Sequence, residues 1–234
     1  MKNISVFQGK VVSLHRISNT KVMLKDILKQ LILTKQAEIP YSVIPRDEAL
    51  PTQCKAIVTI PGVRRCGKST KMQLVINDLV AQGVSKTNIL WLGFDDERLY
   101  DMTKQDLDLV LEAYRELYPE ISLRDVYMFF DEIQLIKDWE LFVVRVYKTY
   151  CQHIYISGSN AKMLSQEIAT TLRGYGVEYP TYPLSFAEYC RFKNIPTKHL
   201  LEDDLVRLRL AWDNYNTESA FPEVVLEKEK SIRE

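Results

Sequence analysis

The 234-residue chain predicts an α/β fold, a three-layer sandwich in which helices cover both faces of a mostly parallel five-stranded sheet. Three observations carry that expectation. From Lys55 onward, short apolar runs alternate with amphipathic segments, the pattern of parallel strands joined by crossover helices. The first run and the first amphipathic segment are separated by a glycine-bearing loop, Gly62 to Ser69. The third run, Val126-Tyr127-Met128-Phe129-Phe130, is continuously apolar, as a strand buried on both faces must be, and it ends in Asp131-Glu132.

Taken in order, residues 22–36 carry Leu24, Ile27, Leu28, Leu31 and Ile32 at helical spacing, and Pro40 and Pro45 end that helix. Residues 1–54 thus read as a helical extension and connector. The core, residues 55–184, opens with a strand at 55–60, the glycine loop, and a helix from Lys68 that stops near Gly83. A second strand at 88–94 leads into Asp95-Asp96-Glu97-Arg98, an acidic turn whose carboxylates either face the ligand edge of the sheet or are solvated. Leu107, Val110, Leu111, Tyr114 and Leu117 mark a helix over 106–118, stopped by Pro119. The third strand is followed by a helix lined by Trp139, Phe142, Val143, Val146 and Tyr147. A fourth strand at 153–157 is followed by Gly158-Ser159-Asn160 and a helix over 161–172. The last strand falls near 177–182. Helices at 186–192 and 202–212 belong to a C-terminal segment, residues 185–234, read as the start of a second domain. Trp91, Trp139 and Trp212 lie on apolar faces and read as core.

Composition excludes some classes. Lysine plus arginine and aspartate plus glutamate both number 31, so no net field demands nucleic acid or a membrane surface. The first 50 residues are locally basic, which leaves a polyanion or a solvated face as readings. Cys54, Cys66, Cys151 and Cys190 form no C-x-x-C pair and have no histidine at ligand spacing, so neither zinc nor a disulfide framework is expected. No apolar run reaches the roughly 18 residues of a membrane span, and no signal-peptide pattern opens the chain, so a cytoplasmic protein is expected.

The chemistry resides in two motifs. Gly62-Val63-Arg64-Arg65-Cys66-Gly67-Lys68-Ser69 fits G-x-x-x-x-G-K-[ST] between a strand and a helix, the context in which successive backbone N–H groups cradle phosphate. Lys68 would then reach the β- and γ-phosphates, the Ser69 hydroxyl would ligate Mg²⁺, and the start of the helix, with Thr70, would add its dipole. Asp131-Glu132 supplies the two carboxylates phosphoryl transfer needs: Asp131 for the metal and Glu132 to polarise the attacking water. Ser159, or secondarily Asn160, ends the fourth strand where it would hydrogen-bond the γ-phosphate or water, unless it merely caps the next helix. Arg173 either neutralises charge on the γ-phosphate, from its own chain or across a subunit interface, or ends its helix ahead of Gly174. Arg64 and Arg65 face phosphate, the acidic pair or solvent.

The glycine loop, Gly93-Phe94-Asp95-Asp96-Glu97-Arg98-Leu99, Phe130-Asp131-Glu132-Ile133-Gln134, Ser157-Gly158-Ser159-Asn160, Leu172-Arg173-Gly174 and Pro183-Leu184-Ser185-Phe186-Ala187-Glu188-Tyr189 together resemble a family of prokaryotic AAA+-like P-loop ATPases. The resemblance implies strand order 5-1-4-3-2, Mg²⁺-dependent ATP binding and hydrolysis, and a C-terminal domain of nuclease-like fold after about Leu226. It carries over to Gly62, Gly67, Lys68, Ser69, Asp131, Glu132, Ser159 or Asn160, and Arg173; Val63 stands where the family commonly has proline. The expected function is therefore an ATPase that couples nucleotide state to conformational change. Alternatives are a nucleotide-gated regulatory module with negligible turnover and a small-molecule kinase. Homo-oligomerisation and a nucleic-acid or protein partner are further expectations.

Overall fold

The computed structural model describes residues 3–159, 172, 174–198, 201–217 and 219–226, with side chains from Thr20 onward. A helix α1 (Asn3–Ala37) precedes β1 (Ile57–Pro61), α2 (Lys68–Ala81), β2 (Ile89–Gly93), α3 (Asp108–Leu117), β3 (Tyr127–Asp131), α4 (Trp139–Thr149), β4 (His153–Gly158) and β5 (Gly176–Glu178). Two more helices follow, α5 (Phe186–Phe192) and α6 (Glu202–Thr217), and residues 222–226 are again helical. The five strands form one parallel sheet in the order β2-β3-β4-β1-β5, the expected order read from its other edge.

Alternation along the strands sorts side chains to the two faces, because successive Cβ atoms point to opposite sides of a sheet. Leu90, Leu92, Met128, Phe130, Ile154 and Ile156 face one layer, formed by Leu28 and Ile32 of α1, Val110 and Tyr114 of α3, and Phe142, Val143 and Val146 of α4. Val58, Ile60, Trp91, Phe129 and Tyr155 face the other, where α2 contributes Met72, Val75, Ile76 and Leu79. On that second face, neighbouring strands stack their rings: Trp91 on Phe129 at 6.1 Å between centroids, and Phe129 on Tyr155 at 4.6 Å. A smaller cluster, Leu184, Tyr189, Phe192, Ala211 and Val225, gathers α5, α6 and the 222–226 turn.

Several boundaries differ from those the sequence suggests. The helix expected at 22–36 begins at Asn3, since residues 3–21 contain no proline to interrupt it. The last strand is Gly176–Glu178 rather than 177–182; beyond it the Tyr179 and Thr181 N–H groups still donate to the Thr59 and Pro61 carbonyls, and Thr181 makes an isolated bridge to Gly62. Helix α6 runs on to Thr217. Trp212, expected in the core, is half exposed on α6, where its ring meets Phe186 edge-on at 4.9 Å. Trp91 and Trp139 are buried as expected. The helix expected at 161–172 lies outside the described residues except for Leu172.

Candidate functional site

The loop of residues 62–67 joins the carboxyl end of β1 to the amino end of α2 at the edge where β3 and β4 also end. That is the edge at which ligands bind in open α/β sheets. Its two glycines are needed for different reasons. Gly67 precedes α2 at φ 96°, a left-handed conformation that glycine adopts without penalty. Gly62 is needed for close approach: a Cβ there would sit 2.5 Å from the Thr181 carbonyl oxygen and 2.7 Å from Cys66 Sγ.

Four side chains converge beneath this loop. The Lys68 side chain is buried, its Nζ donating to the Val63 carbonyl at 3.2 Å and lying 3.1 Å from Glu132 Oε1. Asp131 ends β3 almost fully buried, and burial pushes its carboxyl pKa up. Hydroxyl donors from Ser157 and Ser69 act against that rise, while the charges of Glu132 and Asp95 add to it. Glu132 departs from β3 at φ 51°, an uncommon conformation for a residue bearing a Cβ, and this turns its carboxylate to Lys68. Gln134 Nε2 donates to the other Glu132 oxygen at 2.5 Å.

Ser157 ties the acidic pair together. Its buried hydroxyl donates to Asp131 Oδ1 and accepts the Glu132 N–H at 3.1 Å. The residue expected in this region from sequence is Ser159, two residues on. Ser157 meets Asp131 because β4 lies beside β3 in the sheet, an adjacency the sequence of β4 alone does not show. Ser159 follows β4 and is half-buried, beside the point where the Gly62 N–H donates to the Gly158 carbonyl at 3.3 Å. Asn160 and Arg173 lie outside the described residues.

The remaining expected residues are on the loop or its flanks. Val63, Arg64 and Arg65 are exposed, Cys66 is fully buried with its thiol pKa raised by burial, and Thr70 is half-buried on α2. Arg65 takes a left-handed conformation, φ 67°, and its Nε lies 3.2 Å from Glu223 of the 222–226 turn. Asp96 is occupied elsewhere: it accepts the Arg98 N–H and pairs with the Arg98 guanidinium, which together hold its pKa down, while Asp95 is exposed.

A second group centres on Arg46, a residue with no signal in the sequence. Arg46, from the connector between α1 and β1, extends a buried guanidinium to Glu188 of α5, Nε to Oε1 at 2.7 Å and Nη2 to Oε2 at 3.2 Å. Nη1 donates to the Cys66 carbonyl at 2.9 Å and Nη2 to that of Tyr182 at 3.0 Å. Glu188 also accepts the N–H groups of Asp47 and Ser185, both at 2.9 Å. Burial alone would raise the Glu188 pKa, but Arg46 and these two N–H groups bring it down to about 2. The Ser185-x-x-Glu188 spacing is a capping-box signature visible in the sequence; an arginine between Pro45 and Asp47 has no periodic signal. A cavity of about 510 Å³ adjoins this group, bordered by Arg46, Glu48, Lys71, Tyr182, Leu184 and Tyr215.

A parallel sheet in this order, with a glycine loop, lysine, hydroxyl and buried acidic strand end meeting at one edge, defines the P-loop nucleoside-triphosphatase class of fold. Within that class, a family model described as "AAA domain" matches residues 55–190, more than half of the chain, and the chain belongs to that family. An uncharacterized protein of Haemophilus influenzae is 36% identical over 173 residues, covering 74% of this chain and 41% of the relative. One of Methanocaldococcus jannaschii is 30% identical over 232 residues, covering 98% and 49%. The chain thus spans less than half the length of these two relatives. Among solved structures, Caenorhabditis elegans PCH-2 aligns over 88% of this chain and 61% of its own at 11% identity and a TM-score of 0.48.

Proposed function

We propose that this chain binds ATP with Mg²⁺ and hydrolyses it, coupling nucleotide state to conformational change. The observation that carries the reading is the grouping of Lys68, Ser69, Asp131 and Glu132 at one sheet edge: Lys68 pairs with Glu132 at 3.1 Å, and Ser69 is close enough to the buried Asp131 carboxyl to oppose the rise in its pKa. A hydroxyl and a carboxylate are the hard oxygen donors that suit Mg²⁺, which takes few protein ligands and completes its shell with phosphate oxygens and water. When bound, the ion would neutralise charge on the β- and γ-phosphates. Ser69 and Asp131 would hold it. Lys68 would exchange its carboxylate partner for phosphate, leaving Glu132 to accept a proton from the attacking water. Ser159 or Asn160 would orient that water or the γ-phosphate, and Arg173 would meet the transferred charge, in its own chain or across a homo-oligomer interface. Arg65 pairs with Glu223, which supports a contact to the C-terminal helices rather than to phosphate. The 510 Å³ cavity beside Arg46 and Lys71 supports placing the base there.

Phosphate release measured with ATP and with GTP, in the presence and absence of Mg²⁺, tests this reading. Metal-dependent release that vanishes in Lys68→Ala is expected, whereas tight ATP binding without release would favour the nucleotide-gated module. Transfer of phosphate to an added metabolite rather than water would favour the kinase.

A further inference from the structure

We propose that Arg46 is a positioning residue for the phosphate loop, holding the Cys66 carbonyl outward so that the Gly67 N–H is turned toward the bound phosphates. The inference rests on reading this loop as a phosphate cradle. Its basis is the planarity of the trans peptide, which sets a carbonyl and the following N–H in opposite directions. Fixing one therefore fixes the other. Arg46 Nη1 holds the Cys66 oxygen at 2.9 Å, so the Gly67 N–H of the same peptide points away from the guanidinium.

The grip is rigid because the guanidinium is itself held. Four of its five N–H donors are used, two on Glu188 and one each on the Tyr182 and Cys66 carbonyls. Glu188 is fixed in turn by the N–H groups of Asp47 and Ser185. The guanidinium also lies against the hinge of the loop: Nη1 is 3.1 Å from where a Gly67 Cβ would stand. Lysine would keep the charge but not the planar fork that satisfies three separate acceptor groups at once. The loop thus receives its phosphate-facing geometry from a residue in the connector and a carboxylate in α5, neither of which belongs to the motif.

The test compares the full chain with Arg46→Lys and Arg46→Ala, using ADP and inorganic pyrophosphate as titrants. Pyrophosphate samples the loop without a base. Arg46→Lys is expected to weaken both by a similar factor, about tenfold, equivalent to about 1.4 kcal/mol, and Arg46→Ala by more. Amide exchange of the ligand-free chain gives a second readout. In Arg46→Lys the Cys66 and Lys71 amides, which donate to Val63 and Gly67 carbonyls, should exchange faster while those of β3 and β4 do not change. Unaltered binding of both titrants would overturn the proposal. So would weakened ADP binding with pyrophosphate unaffected, which would assign Arg46 to the base. Faster exchange throughout the sheet would mark Arg46 as a general brace, and would overturn it too. If the wild-type chain binds neither titrant, the nucleotide reading fails, and unchanged Cys66 and Lys71 exchange would then sink the Arg46 proposal separately.

Discussion

Lys68 and Glu132 hold each other 3.1 Å apart with the lysine side chain buried, so each is the main counter-charge of the other. Truncating either leaves the partner poorly compensated, which costs more than a surface pair would. Lys68→Ala is expected to abolish nucleotide binding by titration calorimetry. Glu132→Gln keeps the shape and a Lys68 acceptor but removes the carboxylate proposed as the base; ATP should still bind while phosphate release falls by about two orders of magnitude or more. Turnover equal to wild type in that variant would remove Glu132 from the role of base. At Gly62 the constraint is steric, and Gly62→Ala should lower the unfolding free energy by about 1–3 kcal/mol in a urea titration. Lys68, Ser69, Asp131 and Glu132 were legible because they sit inside a motif or at a strand end. Ser157 was not, since a serine among Ile156 and Gly158 signals its role only once β3 is known to lie beside β4. Asn160 and Arg173 lie outside the described residues, and their roles, like those of Lys68, Ser69, Asp131, Glu132 and Ser159, are proposals.

The elements themselves were readable where a periodic pattern was strong and boundaries were chemical. Helix α3 and strand β3 fell within two residues of expectation, because Pro119 and Asp131 end them. The short α5 was readable too, yet its tie to the connector was not, since Arg46 and Glu188 are far apart in the chain and only the tertiary fold brings them together. Ser185 accepts the Glu188 N–H at 3.2 Å, and Ser185→Ala should cost about 1 kcal/mol of stability. Glu188 makes a pH prediction at the same scale. Its folded pKa, about 2, lies below the ordinary 4.5, so its contribution to stability is complete above pH 4.5 and is lost as pH falls toward 2. Chemical denaturation between pH 5 and about 3 should show a shallower fall for Glu188→Gln than for wild type. Parallel curves would mean the carboxylate does not carry this linkage.

At the scale of the whole molecule, the sheet divides two apolar layers, and the ring stack Trp91-Phe129-Tyr155 ties three strands on the α2 side. Phe129 is fully buried in the middle of that stack, so Phe129→Ala should destabilise the fold by about 3–5 kcal/mol, measured as a lowered urea midpoint. The sheet order was expected from the resemblance. The attachment of the C-terminal helices has no counterpart in the sequence pattern, because Arg65–Glu223 and Leu184 N–H to the Ala220 carbonyl, 2.7 Å, join segments with no shared sequence signal. No helix among the described residues is long and apolar enough to cross a membrane.

The three tryptophans divide between these layers in a way that makes the chain its own optical gauge. Trp91 lies buried on the α2 face, Trp139 buried on the opposite face, and Trp212 half exposed on α6 against Phe186. A dissolved quencher such as iodide will reach Trp212 and leave the other two dark to it. Any ligand-driven shift of α6 against α5 would thereby register as a change in the quenchable fraction of native fluorescence, with no dye attached.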